Sequence, residues 1–283
     1  MIKMKKQLTV FVFTALLLTV YSCGDFKMNG RRLEKYRGNA ENVIISENVY
    51  YIGDGAFVDN KNIISVTIPA SVGTIGIGAF SRCSSLASVT MQEGIRRIYG
   101  FAFGACVSLE SITIPASVDQ ISVGTFHGCT SLASVTMPGV KYIGDEAFVF
   151  CTSLTSITIP PTVISIGESA FRGCSNLSSI TIPSSVTSIE NYAFSGCSSL
   201  TSVVIPSSVE SIGIGAFLVC NNLKTVVVSR RTTIGGNAFP VTAQIIYSDL
   251  LYEYEEDEMF DEDFDDNFEI RGKETGKIPE KRG

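Results

Sequence analysis

The sequence lacks the residue clusters on which most enzymes depend. It contains one histidine, His127, and no two of its cysteines lie within a C-x₂₋₄-C spacing. A catalytic thiolate needs a basic neighbour, and only Cys129 has the histidine close by in sequence. A structural zinc site commonly uses the missing cysteine spacing. These absences argue against thiol catalysis and zinc binding, and no cofactor is expected.

Basic residues are also scarce where a nucleic-acid partner would need them. The 283 residues carry a formal net charge of −6, but residues 249–269 hold twelve acidic residues and no basic ones, whereas residues 23–248 hold fourteen of each sign. A nucleic-acid-binding protein needs a basic surface that displaces counterions from phosphates. The neutral middle of the chain therefore disfavours a nucleic-acid partner.

No apolar run is long enough to span a membrane comfortably. The longest follows three lysines and extends from Leu8 to Tyr21, short of the roughly 20 apolar residues of a transmembrane helix. This arrangement is typical of a secretory signal peptide. Its end, Val20-Tyr21-Ser22-Cys23, resembles the lipobox of bacterial lipoproteins, which implies a lipid on the Cys23 thiol. Simple cleavage and an uncleaved anchor are the alternatives.

A repeat governs the rest of the chain. Prolines and leucines follow the same period as the phenylalanines, and such self-similarity is typical of a solenoid of about nine coils. The phenylalanines are spaced by 22 or 23 residues at positions 57, 80, 103, 126, 148, 171, 194, 217 and 239.

One unit, CSNLSSITIPSSVTSIENYAF at 174–194, predicts the shape of a coil. Ile180 and Ile182 alternate with polar residues as in a strand, and Pro183 closes that strand. Val186 and Ile189 indicate a second, shorter strand, and the following Ala-Phe pair is assigned to a helical or 3₁₀ turn. We therefore expect a parallel β-sheet with short second strands and short helical turns.

This unit resembles the BspA-like bacterial surface leucine-rich repeats, whose pattern is AF-x-x-C-x-x-L-x-x-[IV]-x-[IL]-P-x-S-V-x-x-I-G. The match covers about residues 42–247. The resemblance implies a leucine-rich-repeat-like solenoid and a role in adhesion to host or microbial surface components, through a protein or glycan ligand that it does not identify.

The remaining cysteines recur at one position of the coil. Stacked parallel side chains do not converge as a disulfide requires, and buried free thiols can instead donate to loop carbonyls. We predict a structural thiol ladder, with disulfides as the alternative. Its members are Cys83, Cys106, Cys129, Cys151, Cys174, Cys197 and Cys220.

Serine and threonine recur on the outward side of the first strand. They either solvate the sheet and form hydrogen-bonded ladders or offer a flat hydroxyl surface to a protein or glycan, and no acidic pair on this side suggests a glycosidase. The candidate binding face consists of Ser88, Thr90, Ser111, Thr113, Ser134, Thr136, Ser156, Thr158, Ser179 and Thr181. Between coils the sequence varies most at residue pairs such as 119–120 and 164–165, where specificity could reside.

The acidic residues 252–269 are interspersed with Tyr252, Tyr254, Phe260, Phe264 and Phe268. The glycine and terminal glutamate of a calcium loop are missing there. Such a composition is typical of a solvated, disordered tail, and the phenylalanines at four-residue spacing could instead pack against a partner.

The expected organisation is a signal peptide at 1–22, a lipid-anchored polar tether at 23–41, a solenoid at 42–248 and an acidic then basic tail at 249–283. We expect a monomeric, non-enzymatic interaction protein, exported and anchored in the bacterial cell envelope at the outer membrane or cell surface. A structural envelope lipoprotein without an external ligand and an accessory to a carbohydrate-processing enzyme are the rival hypotheses.

Overall fold

The computed structural model describes residues 24–248. These residues form a stack of short, mostly parallel strands, a β-solenoid of about nine turns. Each coil contributes one longer strand, one two-residue strand and a third side built from turns. The fold class predicted from the repeat is confirmed. The predicted signal peptide, Cys23 and the acidic tail lie outside the described residues.

The described residues contain strands and turns and no helix. In chain order the strands are β1 Phe26–Asn29, β2 Arg32–Tyr36, β3 Asn42–Ile44, β4 Tyr51–Ile52, β5 Ser65–Ile68, β6 Thr74–Ile75, β7 Ser88–Met91, β8 Arg97–Ile98, β9 Ser111–Thr113, β10 Gln120–Ile121, β11 Ser134–Thr136, β12 Tyr142–Ile143, β13 Ser156–Thr158, β14 Ser165–Ile166, β15 Ser179–Thr181, β16 Ser188–Ile189, β17 Ser202–Val204, β18 Ser211–Ile212, β19 Thr225–Val228, β20 Thr233–Ile234 and β21 Gln244–Tyr247.

The longer strands form the first side of the solenoid, with identical positions of neighbouring coils opposite one another. Ser88 of β7, for example, pairs with Ser65 on one side and Ser111 on the other. The intervening Val89 and Ile112 point inward and are buried. The period-two alternation of strand side chains thus separates an apolar interior from an outer row of hydroxyls.

The two-residue strands form the second side, which we call the second sheet. A Pro-x-x-Val turn leads into it, in which the Val118 amide donates to the Pro115 carbonyl at 3.0 Å. The isoleucine of each short strand from β4 to β18, such as Ile121 or Ile166, is buried, and the residue before it faces outward. Ile234 of the last short strand, β20, is instead 39% exposed. The predicted second strand is therefore present, but only the isoleucine of the apolar pair lies in it, and the valine belongs to the turn that precedes it.

The third side consists of overlapping turns and not of the helical turns predicted from the Ala-Phe pair. In the coil of Phe80, the Gly78, Phe80 and Arg82 amides donate to carbonyls of the next coil, whereas Ala79 and Ser81 donate to the residue three positions earlier in their own coil. A helix would direct all its amides along one axis. The stacked coils instead share every second amide, which extends the hydrogen-bonded ladder around the third side.

This arrangement places two positions of each coil in the left-handed backbone region, two residues before and two residues after the buried phenylalanine. The first column contains Gly55, Gly78, Phe101, Gly124, Glu146, Ser169, Tyr192, Gly215 and Asn237, and the second contains Asp59, Arg82, Ala105, Gly128, Phe150, Gly173, Gly196 and Val219, with φ between 54° and 78°. A branched side chain such as Val219 is strained in this region.

Replacing Val219 by glycine should stabilise the protein. Val219 has φ of +61° and is half exposed, so the exchange removes backbone strain without emptying the core, and we expect a gain of about 1 kcal/mol in the free energy of unfolding. The matched control is Val204→Gly in β17, where the valine is equally exposed in an extended strand; this exchange should cost about 1 kcal/mol. Urea unfolding measures both, and a destabilised Val219→Gly variant would contradict the assigned strain.

The phenylalanines of the repeat form one column through the interior. Neighbouring rings from Phe57 to Phe239 have centroids between 4.7 and 5.8 Å apart. Each ring from Phe57 to Phe217 is at most 1% exposed. A single coil could not bury such a ring, so the column is a product of stacking.

Residues 24–41 were predicted to be a polar tether, but from residue 26 they form strands that pack on the first coil of the solenoid. The strands β1 and β2 form an antiparallel hairpin, and β2 pairs in parallel with β4. Tyr36 takes the place of the missing phenylalanine and stacks on Phe57 at 5.1 Å, while Phe26 covers Tyr36. Leu33 is fully buried. The hairpin therefore caps the amino-terminal end of the core, which would otherwise be exposed to water.

Candidate interaction surfaces

The seven repeat cysteines are free and buried. Each Sγ donates to the main-chain carbonyl of the column phenylalanine in the preceding coil, as Cys83 does to Phe57 at 3.1 Å and Cys197 to Phe171 at 3.3 Å. The other five bonds follow the same pattern. The thiols thus connect successive coils through a polar contact inside an apolar interior.

Burial makes these thiols poor nucleophiles. It raises the pKa of Cys129 and Cys174 from the ordinary value of about 9 to about 12, and it raises the pKa of Cys106 well above 9. Only the thiolate attacks electrophiles or binds metals, so the ladder is chemically inert at neutral pH.

His127 and Cys129 are close in sequence but face different surroundings. The His127 side chain lies partly exposed on the turn side, with Nδ1 3.4 Å from a carboxylate oxygen of Glu146 and its ring between Phe101 and Phe150. Cys129 is fully buried and donates to Phe103. The structure therefore builds no Cys-His pair, and no group of three or more His, Cys, Asp or Glu side chains within residues 24–248 is arranged to hold a metal ion.

The ten serine and threonine residues of the candidate binding face are all exposed on the first side. They align in two rows along the paired strands β7, β9 and β11 and again along the pair β13 and β15, as in the register of Ser156 with Ser179 and of Thr158 with Thr181. None of these hydroxyls makes a hydrogen bond within the described residues, so the expected hydroxyl ladders are not formed. Water or a ligand must satisfy them, and we call this surface the hydroxyl face.

An axial groove of about 660 Å³ follows the outer edge of the second sheet. Tyr99, Phe101, Val123 and Tyr142 supply much of its apolar lining. Gly144 lies between them, and a Cβ there would lie 2.7 Å from the Ile121 carbonyl oxygen of the preceding coil. The groove thus follows from the close approach of coils. Two residues singled out as variable between repeats, Gln120 and Ser165, also line it.

Several positions next to the groove connect the coils through side chains. Oδ1 of Asp54, Asp145 and Asn191 each accepts the backbone amide of the following coil at 2.8 to 2.9 Å. Asp145 is thus committed to a structural hydrogen bond, and its presence does not indicate an acid catalyst.

A search of residues 24–248 for a membrane-spanning helix finds none.

Comparison with known proteins agrees with this architecture. The family described as BspA type Leucine rich repeat region (6 copies) matches residues 35–149 and 141–250. A leucine-rich repeat protein from Bacteroides ovatus superposes with a TM-score of 0.60 at 24% identity, covering 78% of this chain and 68% of its own. The T. pallidum leucine-rich repeat protein gives a TM-score of 0.52 at 27% identity, covering 70% of this chain and 88% of its own.

No curated protein matches the sequence. The family match nevertheless spans most of the chain and coincides with the coils of the solenoid. The chain therefore belongs to the BspA type leucine-rich repeat family, a family of non-enzymatic repeat proteins of the protein-interaction kind.

Proposed function

We propose that the protein is an adhesin of the bacterial cell envelope, exported and held at the outer membrane or cell surface by a lipid on Cys23. In this proposal the hydroxyl face binds a surface protein or glycan of a host or another microbe, and the protein has no catalytic role. The family membership supports an interaction role, and the lipobox-like sequence that ends at Cys23 supports the anchor.

The observation that carries the binding proposal is the hydroxyl face itself. Ten exposed hydroxyls form two straight rows without protein partners. Stacked strands place equivalent groups about 4.8 Å apart, so the rows offer the same donor and acceptor at regular intervals. A partner with repeated polar groups could engage several coils together, and weak contacts would add up along the axis.

The hydroxyl face also requires little ordering before binding. Its residues stand on strands whose inward neighbours are buried in a continuous core, so the backbone is fixed in the free protein. A preorganised surface loses less conformational entropy on binding than a mobile one. Neutral hydroxyls further suit an uncharged polar ligand better than a highly charged one.

Binding by a soluble fragment of residues 24–248 to immobilised matrix proteins and glycans tests the proposal. We expect saturable binding to at least one ligand. Exchanging Thr113, Thr136 and Thr158 for valine should weaken that binding by about tenfold or more, because each exchange replaces a hydroxyl by a methyl group at constant shape.

The same exchange at Thr74, Thr187 and Thr233, which lie at the second sheet, provides the matched control and should leave the affinity unchanged. Absence of saturable binding to every ligand would remove the adhesin proposal. An equal loss in the control variant would show that the hydroxyl face is not the binding surface.

A further inference from the structure

The second sheet carries a cluster of cations on its amino-terminal half. Two adjacent outward columns contain Arg31, Arg32, Arg96, Arg97 and Lys141. The strand pairing is continuous from β2 to β8, is interrupted between β8 and β10, and resumes from β10 to β12. All five side chains are exposed. We call this surface the basic strip, and it stands out because residues 23–248 as a whole are electrically neutral.

Aromatic side chains share the strip with the cations. The Arg32 guanidinium lies 4.3 Å from the centre of the Tyr51 ring, and the Arg31 guanidinium lies 5.5 Å from that of Tyr50. Tyr142 of β12 is 44% exposed in the same column as Tyr51 and Arg97. The strip therefore offers positive charge together with flat apolar surface.

Few carboxylates neutralise the strip. Between Arg31 and Lys141 the two columns contain one acidic residue, Asp119, and Glu210 lies three coils beyond Lys141. Arg32 pairs with Asp54 at 3.4 Å. Within residues 24–248, Arg96, Arg97 and Lys141 have no carboxylate within salt-bridge distance. The strip is therefore a surface of net positive charge on which three cations have no salt-bridge partner within residues 24–248.

The chain itself contains the complementary segment. Residues 249–269 combine twelve acidic residues with aromatic side chains at 252, 254, 260, 264 and 268. We propose that this segment docks on the basic strip of its own molecule, so that its carboxylates pair with Arg96, Arg97 and Lys141 and its rings pack against the exposed tyrosines. The docked segment masks the strip.

The length of the chain permits this contact. Five strand spacings of about 4.8 Å separate the coil of β21, after which the segment begins, from the coil of β12, and two more lead to β8, which gives an axial distance of about 24 to 34 Å. The sheets of the solenoid add about 10 Å across the body. Residues 249–260 can span about 40 Å when extended, so the acidic residues from 261 onward can reach Lys141 and Arg97.

Tethering and charge number make the contact feasible. A single exposed ion pair contributes little, but the segment can form several at once, and a tether of this length gives an effective concentration on the order of millimolar. Exposed ion pairs are screened by salt over about 8 Å at physiological ionic strength. The contact should therefore open at high salt or when another polyanion competes for the strip.

Masking would add a control step to the proposed adhesin, on a surface distinct from the hydroxyl face. With the segment docked, the positive charge of the strip is covered by carboxylates. A polyanionic surface that displaces the segment would uncover five cations and gain an attachment site. The proposal does not depend on the adhesin function, because it concerns a contact within one molecule.

Carbodiimide cross-linking of the full chain lacking only residues 1–22 tests the docking. The reagent joins a lysine amine to a carboxylate held next to it, and mass spectrometry identifies the joined peptides. Lys224 serves as the internal reference, because its carbonyl accepts the Gln244 amide close to the start of the tail. Among the lysines of residues 24–248, an undocked tail would react most with Lys224, whereas a docked one should react at least three times more with Lys141.

The expected product has the mass of one chain, and its yield does not change with protein concentration. The yield should fall at least threefold in 0.5 M salt, because salt screens exposed charges. It should fall by the same factor in the Arg96→Ser/Arg97→Ser variant, which lacks two cations of the strip. The matched control, Arg230→Ser/Arg231→Ser, removes the same charge nearer the tail and should retain the Lys141 product. Preferential reaction at Lys224, or a product that joins two chains, would overturn docking within one molecule, irrespective of any ligand binding.

Discussion

Phe148→Ala is expected to lower the free energy of unfolding by about 3–5 kcal/mol, the usual cost of emptying a buried aromatic site. The Phe148 ring is fully buried, with its neighbours Phe126 and Phe171 stacked at 5.4 and 5.1 Å. Rigid coils on both sides cannot close the gap without breaking the inter-coil hydrogen bonds. Urea unfolding followed by circular dichroism measures the loss.

Phe150→Ala is the matched control from the same coil. The Phe150 ring lies two residues away and is half exposed, so its removal should cost less than about 1 kcal/mol. Similar losses for the two variants would contradict the continuous ring column. A second unfolding transition in Phe148→Ala, with stability lost in only one half of the solenoid, would show that the two halves unfold independently once the ring column is interrupted. The intact column would then be what couples them.

Alkaline pH is expected to unfold the protein steeply. Burial holds the pKa of Cys83, Cys129, Cys174 and Cys220 at about 12 in the folded state and also raises that of the other three ladder thiols. In the unfolded chain these thiols ionise near pH 9. The folded state therefore binds more protons between pH 9 and 12, and its stability is complete below pH 9 and falls as the pH rises through that range.

Several thiols acting together make the effect large. Each contributes a loss of about 1.4 kcal/mol per pH unit in this window, so seven would exceed the total stability of an ordinary domain within about one or two pH units. We expect a cooperative transition between about pH 9.5 and 10.5. Circular dichroism should report it together with the thiolate absorbance at about 240 nm.

Variants of the ladder separate this mechanism from general base denaturation. The double exchange Cys129→Ser/Cys174→Ser removes two titrating groups, so the slope of stability against pH should decrease by about 2.7 kcal/mol per unit, whatever its effect at neutral pH. An unchanged slope would refute the thiol origin. Ionisation of the thiols before the loss of circular dichroism would show that the ladder opens without unfolding.

The repeat period made the architecture predictable from the sequence. Spacings of 22 or 23 residues between equivalent phenylalanines leave one way to align neighbouring coils, and alternation around residues such as Val89 fixes which side faces the core. The parallel register of the first side follows from these two constraints. The position of each cysteine and hydroxyl around the coil follows from them as well.

The turns and the amino-terminal cap could not be derived in the same way. The Ala-Phe pair has good helix formers nearby, but the demand of neighbouring coils for every second amide overrides that local preference. The hairpin was missed because Tyr36 stands in place of phenylalanine, 21 residues before Phe57, and because the charges of β2 indicate solvent. In β2 the only apolar or aromatic residues are Leu33 and Tyr36, which are too few to indicate a buried strand.

The basic strip was missed for a related reason. A search for repeats averages each column, whereas Arg96, Arg97 and Lys141 occur at positions where other coils carry residues as different as glycine, tyrosine, isoleucine and glutamate. Only the register of the second sheet brings residues from separate coils next to one another. Such a surface arises from differences between repeats, so it becomes visible when the coils are stacked.

The sharing of alternate amides between coils also determines how the molecule would bear mechanical load. The inter-coil hydrogen bonds are aligned with the long axis, so tension between the two ends would open them one coil at a time instead of shearing many together. Each coil of 23 residues that opens would add about 75 Å of extended chain to the length of the molecule. In the proposed adhesin role, a cell pulled by flow would be held while the coils open one after another, and coils that close again when the tension falls would restore the original length.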